Sequence, residues 1–369
     1  MICHRLKPAS LLAVFALLLG LLAGCAAPPR TQRPDVIVRD APPPTSVQPE
    51  PATPTLRKLA DEAAALRPFA VSGLTLRFLD AVRSLPPAGT RLAYINETTR
   101  EYFSAAERAA LPEAQRARLA EVSLDEYRYY YTKYGSPLAY LRPLEIAAAH
   151  GMTDLQGRRV LDFGYGGIGH LRLMASLGAH VVGVDPDSYL DALYSEPRDQ
   201  GTVAAMRESR RASGTLTLAH GYWPKDAPMV ARVGGAFDLI LSKNTLKKGY
   251  VKPERRTDRR QQVNLGVTDE VFIKALYDAL KPGGLLVIYN VSPRQADKGG
   301  YNPQADGRSP WPRESYERAG FQVLAINTAD DEAIRNVGRA LGWDRTANNE
   351  PIDLNTSIFA LYTVLVRPR

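Results

Sequence analysis

The stretch VLDFGYGGIGHLRLMASLGAHVVGVD, residues 160–185, decides the fold of this chain. It consists of an apolar strand, a glycine-rich bend, a helical run and a second apolar strand that ends in a carboxylate. This order is typical of the first half of a nucleotide-binding βαβ unit. Glycines in such a bend permit positive φ angles and bring backbone N–H groups close to a ligand at the helix N-terminus. The stretch therefore predicts a parallel α/β sheet with a ligand site at the bend.

The charges beside the bend narrow the choice of ligand. Gly164, Gly166 and Gly169 match G-x-G-x-x-G, a pattern compatible with NAD, FAD or S-adenosylmethionine. Asp162 comes two residues before the first glycine, where a carboxylate would repel a dinucleotide pyrophosphate. S-adenosylmethionine has no phosphate and carries a sulfonium and an ammonium. Asp185, 23 positions after Asp162, is placed to accept hydrogen bonds from ribose hydroxyls, so the two acids favour S-adenosylmethionine.

Further motifs follow in order and complete a family resemblance. The motifs are DFGYG at 162–166, GVD at 183–185, FDLILS at 237–242 and LKPGGLLVI at 280–288. Together they resemble the class I S-adenosylmethionine-dependent methyltransferases over roughly residues 130–369. One departure is Ile168, which stands where that family usually has a third glycine and is flanked by Gly167 and Gly169. The resemblance implies an α/β fold with a Rossmann-like, doubly wound, seven-stranded sheet and an antiparallel C-terminal edge.

From residue 160 onward, strands and helices alternate regularly. The predicted strands are Val160–Phe163, His180–Val184, Thr215–Ala219, Asp238–Leu241, Leu285–Tyr289, Phe321–Ile326 and Ser357–Val366. Helical stretches are predicted between them, including one from Ser188 to about Ser213. The last two strands are expected to pair antiparallel, whereas a dinucleotide-binding domain would end in parallel strands.

Ligands of open α/β sheets lie outside the carboxyl ends of the strands, and this rule selects the candidate site. The implied cofactor-binding residues are Asp162, Gly164, Tyr165, Gly166, Gly167, Asp185, Pro186, Tyr222, Trp223 and Ser242. The two aromatic residues at 222–223 are suited to covering an adenine face, and anchoring of their loop is an equal alternative. Tyrosines at 127–134 precede the first strand, in a segment that lies over the cofactor in similar methyltransferases. They either contact the ligand or pack helix against sheet.

Three side chains are candidates for catalysis. Lys243 and Asn244 follow the fourth strand, where the family presents the methyl group to an acceptor. Lys243 is a candidate base or anion contact, and His170 at the start of the first helix is a second candidate base. A solvated lysine and a structural histidine are the simpler interpretations. Because the sulfonium is already activated, much of the enzyme's task is positioning.

Composition limits the other kinds of site. The 369 residues carry a formal net charge of +8, with 45% hydrophobic and 23% charged residues, which are globular values. The basic run at 252–260 is suited to an anionic acceptor or to a solvated loop. No recognition helix or suitably placed aromatic group that would bind nucleic acid is evident in the sequence. Two cysteines, five histidines and no H-E-x-x-H motif disfavour a metal site.

The N-terminus has the features of a bacterial lipoprotein. Residues 1–24 form a predicted signal peptide, with basic Arg5 and Lys7 and an apolar run from Leu11 to Leu22. Cys25 follows a lipobox-like Leu-Ala-Gly and is the predicted lipid attachment site, although a plain uncleaved anchor is an alternative. Residues 25–55 form a proline-rich linker, 56–128 a helical segment and 129–369 the methyltransferase-like domain. We expect a membrane-anchored envelope protein on the periplasmic side, at the outer membrane rather than the inner.

Three classes of function remain open from the sequence. The first is a tethered S-adenosylmethionine-dependent methyltransferase, or the related transfer of an aminocarboxypropyl group. The second is an NAD-dependent oxidoreductase, against which Asp162 argues. The third is a non-enzymatic envelope protein that retains the fold, because S-adenosylmethionine is made in the cytoplasm and the signal peptide predicts export.

Overall fold

The structure, a computed structural model, describes residues 53–132, 135–206, 211–255, 262–295 and 300–369. The predicted signal peptide, Cys25 and nearly all of the proline-rich linker lie outside these ranges, and the basic run is described only as far as Arg255. Within the described ranges, no helix combines the length and the apolar character needed to cross a bilayer.

Eight strands form the main sheet. They are β4 (Arg159–Phe163), β5 (His180–Asp185), β6 (Gly201–Val203), β7 (Gly214–His220), β8 (Phe237–Lys243), β9 (Leu280–Ser292), β10 (Gln322–Ala329) and β11 (Phe359–Val366). Their order is β10-β11-β9-β8-β4-β5-β7-β6. Strands β7, β5, β4, β8 and β9 are parallel, and β11 is antiparallel to both of its neighbours. The α/β fold and its antiparallel C-terminal edge are confirmed, and this edge argues against the dinucleotide-binding alternative.

The direction in which the chain adds strands changes between β4 and β8. From β4 the chain builds outward through β5 and β7, and it then returns to build β8 and β9 on the other side. Ligands of open α/β sheets bind at the carboxyl ends of strands at such a switch point. The glycine bend after β4 lies at this switch point and remains the candidate site.

The sheet has one strand more than the seven predicted. The predicted helix from Ser188 to about Ser213 ends at Leu193, and the chain continues through a 3₁₀ turn at Pro197–Asp199 into β6. Proline favours the end of the helix because its ring lacks a backbone donor. Strand β6 is three residues long, largely exposed and antiparallel to β7. A strand of three residues is too short to show the alternation of apolar and polar residues from which strands are predicted.

Helices cover both faces of the sheet. They are α1 (Pro54–Leu66), α2 (Gly73–Asp80), α3 (Ala105–Ala110), α4 (Glu113–Arg116), α5 (Glu126–Tyr130), α6 (Leu141–Ala149), α7 (Gly169–Ser176), α8 (Ser188–Leu193), α9 (Ala227–Val233), α10 (Lys248–Val251), α11 (Asp269–Ala279), α12 (Arg313–Arg318), α13 (Asp331–Ala340) and α14 (Leu354–Ser357). Successive strand residues enter opposite cores: Val160 packs with the face covered by α6 and α7, and Leu161 with the face covered by α11 and α12. The sheet is therefore buried on both sides, as a doubly wound fold requires.

The segment before β4 contains the expected helices and also a small antiparallel sheet. In it β1 (Arg91–Asn96) lies between β2 (Tyr102–Phe103) and β3 (Leu119–Leu124). The sequence from Glu107 to Leu119 has a helical composition, but Pro112 divides it into α3 and α4. Arg91 ties this sheet to the main fold through an ion pair with Asp199 at 2.8 Å, in which both side chains are buried.

Candidate active site

The glycine bend joins β4 to α7 at the switch point. Gly164 and Gly166 have φ angles of 76° and 58°, which side chains rarely adopt, so glycine is required at both positions. The Asp185 carboxylate, at the end of β5, accepts hydrogen bonds from the N–H of Gly166 at 3.2 Å and from the N–H of Asp187 at 3.0 Å. The predicted acid therefore lies beside the predicted bend.

Asp162 is at the centre of a buried polar cluster. Its Oδ2 atom accepts hydrogen bonds from the Tyr140 hydroxyl at 2.8 Å and from His170 Nε2 at 2.6 Å. The rings of Tyr140 and His170 stack with centroids 3.6 Å apart and planes 9° apart. Asp162 and His170 are fully buried. Their second polar atoms, Asp162 Oδ1 and His170 Nδ1, have no hydrogen-bond partner among the residues that the structure describes. The Oδ1 atom of Asp162 is thus the carboxylate oxygen in this cluster that remains available as an acceptor.

Protonation states in this cluster follow from burial. Burial lowers the pKa of His170, although the hydrogen bond to Asp162 opposes this effect, so the imidazole is neutral at pH 7. Because Nε2 contacts the carboxylate, it carries the proton in the neutral ring. Burial also raises the pKa of Tyr140 well above its usual range, and Asp162 adds to the effect. Both groups therefore act as neutral hydrogen-bond donors.

Lys243, Asn244 and Ser242 lie at the end of β8. Burial lowers the pKa of Lys243 to about 8, while the charge of Asp162 works in the opposite direction. The Lys243 ammonium lies 5.7 Å from the centroid of the Tyr140 ring. Asn244 has a φ of 62° and accepts a hydrogen bond from the N–H of Val291 at 2.7 Å, which fixes the chain after the strand. Ser242 Oγ accepts from the N–H of Leu246 at 3.1 Å.

The glycine bend is covered by a segment that precedes β4. In this covering segment, residues 129–132 and 135–137, Thr132 lies over Gly167, and the carbonyl of Tyr130 approaches Gly169 so closely that a Cβ there would collide with it. Tyr194 links the two layers, because its hydroxyl donates to the carbonyl of Tyr129 at 2.9 Å and accepts from the N–H of Ile168 at 3.0 Å. The glycines on either side of Ile168 are therefore explained by packing under the covering segment.

Thr245 covers the bend from the other side. Its side chain contacts the Cα side of Gly164, and its hydroxyl donates to the Gly164 carbonyl at 3.3 Å. Together with Thr132 on the other side, this contact leaves the bend in a closed arrangement.

Several predicted contacts are in the core rather than at a cleft. Trp223 is 2% exposed and packs near Phe163 and Phe272, as the loop-anchoring alternative predicts. Tyr165 is also 2% exposed and packs against Gly183, and His170 has no exposed surface. Tyr222 and Pro186 remain at the surface.

Two residues in the described part of the basic run, Lys252 and Glu254, form ion pairs. Lys248 and Arg308 both contact Glu254, at 3.0 and 2.7 Å, and Lys252 contacts Asp269. Mixed pairing of this kind is typical of a solvated loop, the simpler of the two interpretations. No group of three or more potential metal-ligating side chains occurs among the residues that the structure describes.

Sequence reasoning missed Tyr140 and Tyr194; it selected residues 242–245 at the end of the fourth strand but did not predict the contact of Thr245 with Gly164. Tyr140 contacts Asp162 across 22 residues, and Thr245 contacts Gly164 across 81, so no local pattern reports either contact. The turn at residues 134–137 was the one usable signal, because it places the covering segment next to the first strand.

Comparisons with known proteins give distant structural matches. No model of a protein family matches the chain, and no curated protein matches it. Among solved structures, phosphoethanolamine N-methyltransferase 2 of Haemonchus contortus is 15% identical, with 77% of this chain and 71% of that chain covered and a TM-score of 0.35. A methyltransferase from Mesorhizobium loti is 18% identical, with 62% and 98% covered and a TM-score of 0.33. The cyclase SpnF is 18% identical, with 62% and 80% covered and a TM-score of 0.35. Matches at this level carry no argument about function, which depends on the residues of the site.

Proposed function

We propose that this protein is an S-adenosylmethionine-dependent methyltransferase. One observation carries the proposal: Asp162 and Asp185 lie at the carboxyl ends of adjacent strands, on either side of a bend whose glycines have positive φ. Two carboxylates here suit a ligand with ribose hydroxyls and positive charge and disfavour a pyrophosphate. When bound, S-adenosylmethionine supplies a methyl group already activated by its sulfonium.

The unpaired oxygen of Asp162 supports the fit of this ligand. A buried acceptor without a partner costs about 1–3 kcal/mol, and more when it is charged. An ammonium or sulfonium beside Asp162 Oδ1 would remove this cost, since Oδ2 is already occupied by Tyr140 and His170. Asp185 retains acceptor capacity for ribose, because each of its oxygens can accept more than one hydrogen bond.

The closed arrangement of the bend requires that ligand binding move its cover. Thr245 packs against Gly164 with its Cβ as well as its Oγ1 and Cγ2, so rotation of that side chain alone does not clear the bend, and Thr132 moves only with the covering segment. We infer that the ligand enters after the covering segment lifts, as lids do in many enzymes.

Replacing Asp185 with alanine should weaken the binding of S-adenosylhomocysteine roughly tenfold or more, because acceptors for two ribose hydroxyls are lost. Isothermal titration calorimetry measures this affinity. The control is Glu270→Ala, which removes an exposed carboxylate on α11. Equal affinities for wild type and Asp185→Ala would contradict the proposed site.

A non-enzymatic envelope protein with the same fold is the second candidate. The cover over the bend favours it, because Thr132, Thr245 and the Tyr130 carbonyl already make the contacts that a ligand would make. The same titration separates the candidates. Folded protein that binds neither S-adenosylmethionine nor S-adenosylhomocysteine at millimolar concentration would support the second candidate and overturn the first.

We also propose that the protein is attached to a membrane through Cys25, by way of a lipoprotein signal peptide and a proline-rich linker. Lipid at this cysteine would replace the signal peptide as the anchor. Cys25→Ala should abolish labelling by radioactive palmitate in cells, with Cys3→Ala as the matched control. Protease accessibility in intact and lysed cells then identifies the compartment, and unchanged labelling of Cys25→Ala would refute the attachment site.

A further inference from the structure

We propose that Asp162 is shared between Lys243 and a positively charged ligand, and that ligand binding thereby converts Lys243 into the general base for the methyl acceptor. This inference rests on the proposed function and goes beyond it, because it assigns a base and the event that activates it. Tyr140 and His170 are positioning residues in this arrangement, since they hold Asp162 and do not contact the acceptor.

The geometry of the Asp162 carboxylate supports its sharing between Lys243 and a ligand cation. Tyr140 and His170 both donate to Oδ2, and their stacked rings fix the plane of the carboxylate. The remaining acceptor, Oδ1, is buried and has no hydrogen-bond partner within the described part of the chain. One oxygen is therefore available to satisfy a cation, and a ligand cation that takes it competes with Lys243 for the same negative charge.

Lys243 lies on the same face of the sheet as Asp162. In the parallel pairing of β4 with β8, Asp162 lies opposite Leu241. Lys243 is two residues further along β8, and alternate residues of a strand point to the same face. Its ammonium group lies over the Tyr140 ring, which itself contacts Asp162. The lysine therefore extends over the cluster that Asp162 organises.

The groups that face Lys243 come from three elements. They are Asp162 on β4, Tyr140 in the 3₁₀ turn Pro137–Tyr140 and His170 on α7. Tyr140 and His170 are neutral at pH 7 because burial disfavours their charged forms. Asp162 is thus the negative charge on which the ammonium form of Lys243 depends, and Asp185 lies one strand further away on β5.

Electrostatics determine the direction in which a bound ligand shifts the pKa of Lys243. Burial already lowers the pKa of Lys243 to about 8, with Asp162 opposing it. A group with that pKa is about one-tenth neutral at pH 7. A ligand cation at Asp162 cancels the opposing charge and adds repulsion, and both effects lower the pKa further. The neutral amine then becomes the major form at pH 7, but only when the ligand is in place.

The reaction step transfers one methyl group to the acceptor and one proton from the acceptor to Lys243. The acceptor lone pair forms the new bond to the methyl carbon, and the electron pair of the broken carbon–sulfur bond stays on sulfur. The acceptor proton passes to Lys243 Nζ, which becomes an ammonium and releases that proton to solvent after the product leaves. A base with a pKa near the working pH is effective in such a transfer.

The test is an NMR titration of lysine side chains in the full chain labelled with ¹³C and ¹⁵N lysine. Free protein is compared with protein saturated with S-adenosylhomocysteine, which is neutral at sulfur, and with sinefungin, which carries an amine in place of the sulfonium. We expect the Lys243 signal to titrate near pH 8 in the free protein. Sinefungin should lower that midpoint by about one pH unit or more, and S-adenosylhomocysteine should lower it less.

Lys247 supplies an internal control. It is also buried, and its pKa is also lowered to about 8, but its ammonium donates to the carbonyls of Val291 and Gln304 and its acidic neighbour is Asp306. Its midpoint should not change with either ligand. The Lys243 signal is assigned by its absence from Lys243→Arg, or by through-bond correlation to the Lys243 backbone if that variant does not fold.

The outcomes separate this inference from the proposed function. If calorimetry shows that both ligands bind and the Lys243 midpoint does not move, or moves equally with Lys247, the shared-charge inference is overturned and the methyltransferase proposal stands. If neither ligand binds, both fail. Tyr140→Phe adds a readout that a purely structural role would not move. It removes one of the two donors to Asp162 Oδ2, so more of the carboxylate's charge is available to Lys243 and the Lys243 midpoint should rise in the free protein.

Discussion

Asp162→Leu should lower the free energy of unfolding by about 2–6 kcal/mol, because it leaves two buried donors without an acceptor at about 1–3 kcal/mol each. The donors are the Tyr140 hydroxyl and His170 Nε2–H, which both depend on Asp162 Oδ2. Leucine is larger than aspartate, so the substitution leaves no cavity, and any overpacking adds to the loss from unpaired polar groups. Urea denaturation followed by circular dichroism measures the change.

Asp162→Asn is the matched control for this experiment. Its side-chain carbonyl can still accept from one or both donors, so we expect a smaller loss of stability than with leucine. The asparagine variant should nevertheless lose affinity for a cationic ligand, because the negative charge is gone. Wild-type stability of Asp162→Leu would show that the two hydrogen bonds do not hold the cluster together.

Gly169→Val should destabilise the protein by about 3 kcal/mol, at the upper end of the range for overpacking. A Cβ at this position collides with the backbone carbonyl of Tyr130 and lies 2.9 Å from Pro137 Cβ. A backbone carbonyl cannot rotate away as a side chain can, so α7 and the covering segment must separate. Hydrogen exchange at residues 130–132 should accelerate together with the loss of stability.

Gly89→Val is the control for the covering contact. No atom lies within 4 Å of a Cβ at Gly89, so the same substitution there meets open space. If both variants lose equal stability, the effect comes from the loss of glycine and not from the cover. If Gly169→Val is as stable as wild type, the covering segment does not pack on α7.

The fold from residue 160 onward could be predicted because its signals are local. Val160–Phe163 and His180–Val184 are continuous apolar runs, as expected of strands buried on both faces. The small sheet β1–β3 could not be predicted in this way. Its strands pair residues that are far apart in sequence, such as Arg91 with Leu124, and their side chains mix apolar and charged types.

The sequence predicted the site residues that lie at the ends of strands, but it did not predict the contacts between side chains from different helices and strands. Asp162 and Asp185 follow from their positions after apolar runs, because parallel strands bring their carboxyl ends to one edge. Trp223 illustrates the limit: its loop position predicts a ligand contact, but α11 supplies Phe272, which packs beside the indole in the core. Residue type alone does not distinguish a ring that covers a ligand from a ring that anchors a loop.

The segment before β4 has a practical consequence for work on this protein. One continuous cluster of buried residues contains Leu59 and Phe78 from that segment together with Leu144 and Leu171 from helices on the main sheet. A recombinant fragment that starts at residue 129 would expose this apolar surface to water and leave Asp199 without its Arg91 partner. Fragments for expression trials should therefore retain α1 and α2, which lie well upstream of the glycine bend.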